Sequence, residues 1–151
     1  MKYYYLCASI GCGETKLNSF DNALLNSKIA NYNLVKVSSI LPSFTTYSSI
    51  ITIPEGDILY TAYATQTTCE KGIRISAAIA VGIPSDPNNI GVIMEFSGNC
   101  SKDIAKKNVS QMVVEAMEKR RYDIKEVLCE ATEAIGDGKQ FITVFAALAM
   151  W

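Results

Sequence analysis

Hydrophobic and polar positions alternate most regularly over residues 73–83, where Ile73, Ile75, Ala77, Ile79, Val81 and Ile83 recur with a period of two. Between them stand Arg74, Ser76, Ala78, Ala80 and Gly82, mostly small, so this strand is expected to be covered on both faces. Pro84, Ser85, Asp86 and Pro87 break it, and residues 92–96 resume as its antiparallel partner. Residues 141–150 are apolar on both faces and predict a central strand. Gly136, Asp137 and Gly138 ahead of it read as a hairpin turn following a strand over 124–130. Further strands are expected over the first ten residues and over 34–37, 50–53 and 59–67, with 43–49 a connecting loop and 54–57 a turn.

Two segments carry helical periodicity instead. After a flexible turn at 11–16, Asn18 or Ser19 is expected to cap a helix to about residue 29, with Phe20, Ala23, Leu24 and Ser27 on one face. Ser101 is expected to cap a longer helix over 102–121. Asp103 lies in its first turn and Lys119, Arg120 and Arg121 in its last, both matched to the helix dipole. Ile104, Val109, Met112, Val113, Ala116 and Met117 are read as its core face. No repeat or linker divides the chain, so 151 residues read as one domain, 1–151.

Composition narrows the chemistry. Apolar residues make up 49 % and charged residues 19 %, so some apolar surface is expected between subunits. A net charge of −1 offers no basis for a nucleic-acid or membrane partner. Five cysteines, an odd number without a C-x-x-C pair, indicate neither a zinc cluster nor a closed disulfide framework, and imply the cytoplasm. The absence of histidine removes Ser-His and Cys-His machinery and histidine metal sites together. The tyrosine-rich start reads as a strand rather than a signal peptide, and residues 141–151 fall short of the ~20 needed to span a bilayer. Gly11-Cys12-Gly13-Glu14-Thr15-Lys16 lacks the spacing and the Gly-Lys-Ser/Thr ending of a phosphate-binding loop.

One dipeptide permits unusual chemistry. Ser38 and Ser39 end the 34–37 strand, and Pro42 keeps Leu41 extended, so the pair lies where a strand leaves a sheet. Such pairs are ordinarily turn residues. Yet Ser39 Oγ can attack the Ser38 carbonyl and convert the amide into an ester. β-Elimination then frees Ser38 as a C-terminus and leaves dehydroalanine at position 39, which loses ammonia to give a ketone. The uphill first step requires a strained peptide and a hydrogen-bonded oxyanion. Two carboxylates are similarly ambiguous. Asp21 complements a helix dipole, and Glu95, set in Val-Ile-Met-Glu-Phe, either faces solvent or is held among apolar neighbours.

Four stretches, 17–25, 31–42, 77–84 and 91–98, resemble in order and spacing the pyruvoyl-dependent arginine decarboxylases. The serine pair and Met94-Glu95-Phe96-Ser97-Gly98 are the most specific parts of a similarity covering nearly the whole chain. The resemblance implies an α+β fold, a four-layer α/β/β/α sandwich with mainly antiparallel sheets, assembled as a trimer with active sites between subunits. It implies self-cleavage between Ser38 and Ser39 into chains 1–38 and 39–151, with Ser39 becoming a pyruvoyl group that replaces pyridoxal phosphate, and no metal. Glu95 corresponds to the family's proton donor, for which partial burial is expected, and Asn33 to the asparagine implicated in processing, whose amide would polarise the Ser38 carbonyl or hold the oxyanion. Asp21 corresponds to the aspartate that receives a guanidinium, flanked by Leu17 and Leu24. Arginine would yield agmatine and CO₂. Ser43 replaces a common proline, Ala30 a common glycine, and the segment before Leu17 is compact; the last two touch the substrate wall. Decarboxylation of another amino acid, or an unprocessed, non-catalytic oligomeric homologue, are the alternatives.

Overall fold

A computed structural model describes residues 1–151. The elements follow in the order β1 (Tyr3–Gly13), α1 (Lys16–Asn26), β2 (Asn33–Lys36), β3 (Ile40–Leu41), β4 (Thr46–Tyr47), β5 (Ile58–Thr68), β6 (Arg74–Pro84), β7 (Gly91–Gly98), α2 (Lys102–Lys119), β8 (Ile124–Ile135) and β9 (Phe141–Met150). The apolar run of β9 occupies the middle of a five-stranded sheet ordered β2-β5-β9-β1-β4. A second sheet is ordered β3-β7-β6-β8. Only the β1–β4 and β2–β5 pairings are parallel.

Strand alternation divides the core into three layers. Val144, Ala146, Leu148 and Met150 of β9 meet Ile75, Ala77, Ile79 and Val81 of β6 between the sheets. Phe145, Ala147 and Ala149 face α1, where they pack with Ala23 and Leu24. Ala78 and Ala80 face Ala105, Val109, Val113 and Met117 of α2. The result is helix, sheet, sheet, helix, an α+β sandwich with mostly antiparallel sheets. The small face of β6 admits α2 closely. A Cβ at Gly82 would lie 2.7 Å from Val113 Cγ1, and one at Gly11 would lie 2.2 Å from the Ser19 carbonyl oxygen of α1. A side chain at Gly11 would therefore force α1 off β1.

Several local expectations are corrected. Thr15, not Asn18 or Ser19, caps α1, its Oγ1 accepting from the Asn18 N–H at 3.1 Å. Ser19 is buried and spends its hydroxyl on the Lys16 carbonyl and on Thr143. The helix stops at Asn26 because Lys28 turns left-handed (φ 62°), with the Lys28 and Ile29 N–H groups donating to the Leu25 and Leu24 carbonyls. Residues 50–53 form no strand. Ile51 and Ile53 pack on the α1-side core, and the edge strand is β4, within the expected loop. Residues 136–138 join strands of different sheets rather than closing a hairpin, since β8 pairs with β6 and β9 with β1 and β5. On α2, spacing by four selects Ala105, Val109, Val113 and Met117, whereas Ile104 and Met112 remain 51 % and 38 % exposed.

Candidate active site

The serine pair marks a change of sheet. β2 is a four-residue edge strand parallel to β5, and the Val37 N–H adds one more bond, to the Thr61 carbonyl at 3.2 Å. The chain then leaves the first sheet and joins the second, where the Ile93 N–H donates to the Ser39 carbonyl at 2.8 Å and β3 pairs antiparallel with β7. Ser38 and Ser39 span that crossing. The Ile40 N–H donates back to the Ser38 carbonyl at 3.1 Å, closing a three-residue turn around Ser39. The carbonyl that Ser39 would attack is thus already polarised by a backbone donor. Ser38 is exposed and Ser39 half-buried.

Glu95 enters from β7 on the side of the inter-sheet core, two residues beyond Ile93, whose side chain is in that core. Two residues of strand amount to about 7 Å, so β7 anchors Ser39 and carries Glu95 one step along the same edge. The Glu95 side chain is 32 % exposed, half-buried as expected. Its partner was not expected: Lys36 Nζ lies 3.1 Å from Glu95 Oε1. The same ammonium donates to the Tyr63 carbonyl at 3.0 Å and stands 4.5 Å from the Tyr63 ring centroid. Lys36 and Tyr63 escaped sequence reasoning. The one signal available was a lysine interrupting an apolar strand two residues before Ser38.

The other predicted residues lie elsewhere in the protomer. Asn33 opens β2, five residues before Ser38, and its Nδ2 donates to the Gly56 carbonyl at 2.6 Å. The donor on the Ser38 carbonyl is the Ile40 N–H instead. Asp21 is exposed on α1, and Leu17, one turn before it, is 75 % exposed. Leu24 is 8 % exposed and belongs to the core, while Leu25 continues the exposed stripe of Leu17 and Asp21. Because α1 covers the outer face of the first sheet, one chain does not bring Asp21 to Ser39 and Glu95. A cavity of about 400 Å³ beside β3 is lined by Tyr4, Leu41, Pro42 and Phe44 among others, but by neither Ser39 nor Glu95. The thiols offer no competing nucleophile in the core: burial pushes Cys7 up to about 11, and burial raises Cys129 as well.

Comparison with known proteins gives the chain's family. The family model described as pyruvoyl-dependent arginine decarboxylase matches residues 3–151. A relative of that name from Methanocaldococcus jannaschii is 39 % identical over 146 residues, 97 % of this chain and 87 % of its own. Another from Thermococcus sibiricus is 43 % identical over 130 residues, covering 85 % of this chain and 82 % of its own. A third, from Pyrococcus furiosus, is 38 % identical over 145 residues, 95 % of this chain and 91 % of its own. Family model and relatives agree along nearly the full length, and the chain belongs to the pyruvoyl-dependent arginine decarboxylase family.

Proposed function

We propose that this protein cuts its own backbone between Ser38 and Ser39, converts Ser39 to a pyruvoyl group, and decarboxylates L-arginine to agmatine and CO₂. The observation that carries the reading is the β7 edge, where the Ile93 N–H holds the Ser39 carbonyl at 2.8 Å and Glu95 follows two residues on. In the cut, Ser39 Oγ adds to the Ser38 carbonyl carbon, the C–N bond breaks, and the nitrogen takes up a proton. Loss of the Ser39 Cα proton then expels the Ser38 carboxylate, and water replaces the nitrogen, which leaves as ammonia. The Ile40 N–H supports the oxyanion of the first step. Asn33 is assigned to processing as well.

The residues present suit a pyruvoyl group at position 39, since the neighbouring backbone remains anchored on each side of the cut. When formed, that group would supply a ketone to take the substrate amine and an adjacent amide carbonyl to accept the electron pair released with CO₂. Glu95 holds the proton delivered to the substrate carbon. Asp21 receives the guanidinium as a charge-assisted fork, with Leu17 along the aliphatic stem and Leu24 packed in the core beneath it. Asp21 and Leu17 are exposed on α1, which covers the face of the first sheet away from the second, and this favours a trimer with sites shared across subunits. No helix is long and apolar enough to cross a membrane, and five free cysteines favour the cytoplasm.

Denaturing mass analysis tests the reading directly. Purified protein is expected as fragments 1–38 and 39–151, the second with a blocked amino terminus. Under native conditions the two stay together. β1, in the short fragment, pairs with β9 at ten register positions, and Val37 and Ser39 keep their separate backbone bonds. One intact, inactive chain would support the non-catalytic alternative. Substrate identity rests on Asp21. Asp21→Asn removes a charged hydrogen bond of roughly 1.5–3 kcal/mol, so kcat/KM for arginine should fall about 10–100-fold while lysine and ornithine change less. Equal losses on all three substrates would remove Asp21 from recognition.

A further inference from the structure

The Lys36 ammonium is tethered independently of the carboxylate it meets. β5 continues past the end of β2, leaving the Tyr63 carbonyl beyond the β2–β5 pairing, and Lys36 Nζ fills that position at 3.0 Å. The Tyr63 ring beneath the ammonium is itself fixed, 5.4 Å from the Phe145 ring and 6.3 Å from that of Phe20. Lys36 therefore belongs to the first sheet by two contacts before Glu95 is considered. Glu95 comes from the second sheet, and at 3.1 Å the ammonium joins the two across the open edge where the serine pair makes its crossing.

An exposed ion pair is a weak source of stability, and here the side chains are 53 % and 32 % exposed. What a doubly anchored ammonium supplies is position. We propose that Lys36 is a positioning residue for decarboxylation, holding the Glu95 carboxylate at a fixed place relative to residue 39. The inference rests on the proton-carrying role given to Glu95 above. Without the tether the carboxylate samples several rotamers, and a misplacement on the order of 1 Å is enough to slow a proton transfer about 100-fold. Arginine reaches the same carbonyl, ring and carboxylate, whereas methionine keeps the aliphatic stem and loses the charge.

The test compares Lys36→Met and Lys36→Arg with the parent as complete, self-processed protein. Both variants are expected to cleave fully by denaturing mass analysis and to melt within about 2–3 °C of the parent. Lys36→Met should lose roughly 10–100-fold in kcat with KM nearly unchanged, and Lys36→Arg should recover most of it. A second readout does not depend on turnover: with ¹³Cδ-labelled glutamate, the Glu95 resonance, assigned by its loss in Glu95→Gln, should shift or broaden in Lys36→Met and stay in place in Lys36→Arg. Parental kcat in Lys36→Met, or an unmoved Glu95 resonance, overturns the inference. So does failure of Lys36→Met to cleave, which would move Lys36 into processing. Full turnover by cleaved Glu95→Gln would instead overturn the role of Glu95, a failure distinguishable because the resonance test still reports whether Lys36 orders that carboxylate.

Discussion

Ser39→Ala should yield a single uncut chain of residues 1–151 with no measurable decarboxylation. The substitution removes one oxygen atom, which in the proposed processing is in turn the nucleophile, the ester oxygen and the atom that departs in the elimination. No other side chain can stand in for it, because only Ser39 Oγ remains attached to the residue that must become the ketone. The fold should be indifferent. Ser39 is half-buried, and the contacts the structure gives it are made by its backbone: its carbonyl accepts from the Ile93 N–H, and the Ile40 N–H closes the turn around it. Melting temperature and oligomeric state should match the parent before cleavage. Ser38→Ala provides the contrast, since residue 38 contributes its carbonyl rather than its hydroxyl and cleavage should persist. Denaturing mass analysis reads both results, and a two-chain product from Ser39→Ala would end the self-processing account.

The difference between these neighbouring serines was legible in the sequence only as far as chemistry, not as geometry. Leu34 to Val37 reads as extended and Pro42 as a stop, so the end of a strand was visible. That the chain changes sheets there was not. Parallel pairing of β2 with β5 and antiparallel pairing of β3 with β7 depend on segments 25 and 50 to 52 residues away. The same limit explains residues 136–138, where turn chemistry reports that the chain bends without saying which sheet it enters. Long elements with both faces apolar or small, such as β6 and β9, were readable because either face demands a packed layer. Lys36 was missed for a related reason. Its three contacts reach 27 residues forward to Tyr63 and 59 forward to Glu95, and no local pattern encodes a pair formed across two sheets. Leu24 and Leu25 show the finer limit. Both are apolar neighbours of Asp21 on α1, and only packing against Ile29 and Phe145 decides which one is core.

Glu95→Gln should separate processing from turnover. Glutamine has nearly the shape of glutamate and keeps an oxygen to accept from Lys36, so the β7 edge and its hold on Ser39 are preserved. The proposed cut uses Ser39 Oγ and the Ile40 N–H rather than Glu95, and fragments 1–38 and 39–151 should form largely as in the parent. Decarboxylation should not survive so well. The carbon that loses CO₂ must gain a proton, and an amide has none to give at neutral pH, so kcat should fall about 10²–10⁴-fold, the usual contribution of a positioned acid. KM should change little, because Asp21 rather than Glu95 is assigned to the guanidinium. Reaction in D₂O sharpens the result. The parent should place one deuterium stereospecifically on the carbon that lost its carboxyl group, whereas residual product from Glu95→Gln should carry it on either face, delivered by solvent. Fully cleaved Glu95→Gln that turns over normally, with stereospecific label, would assign the proton to another group.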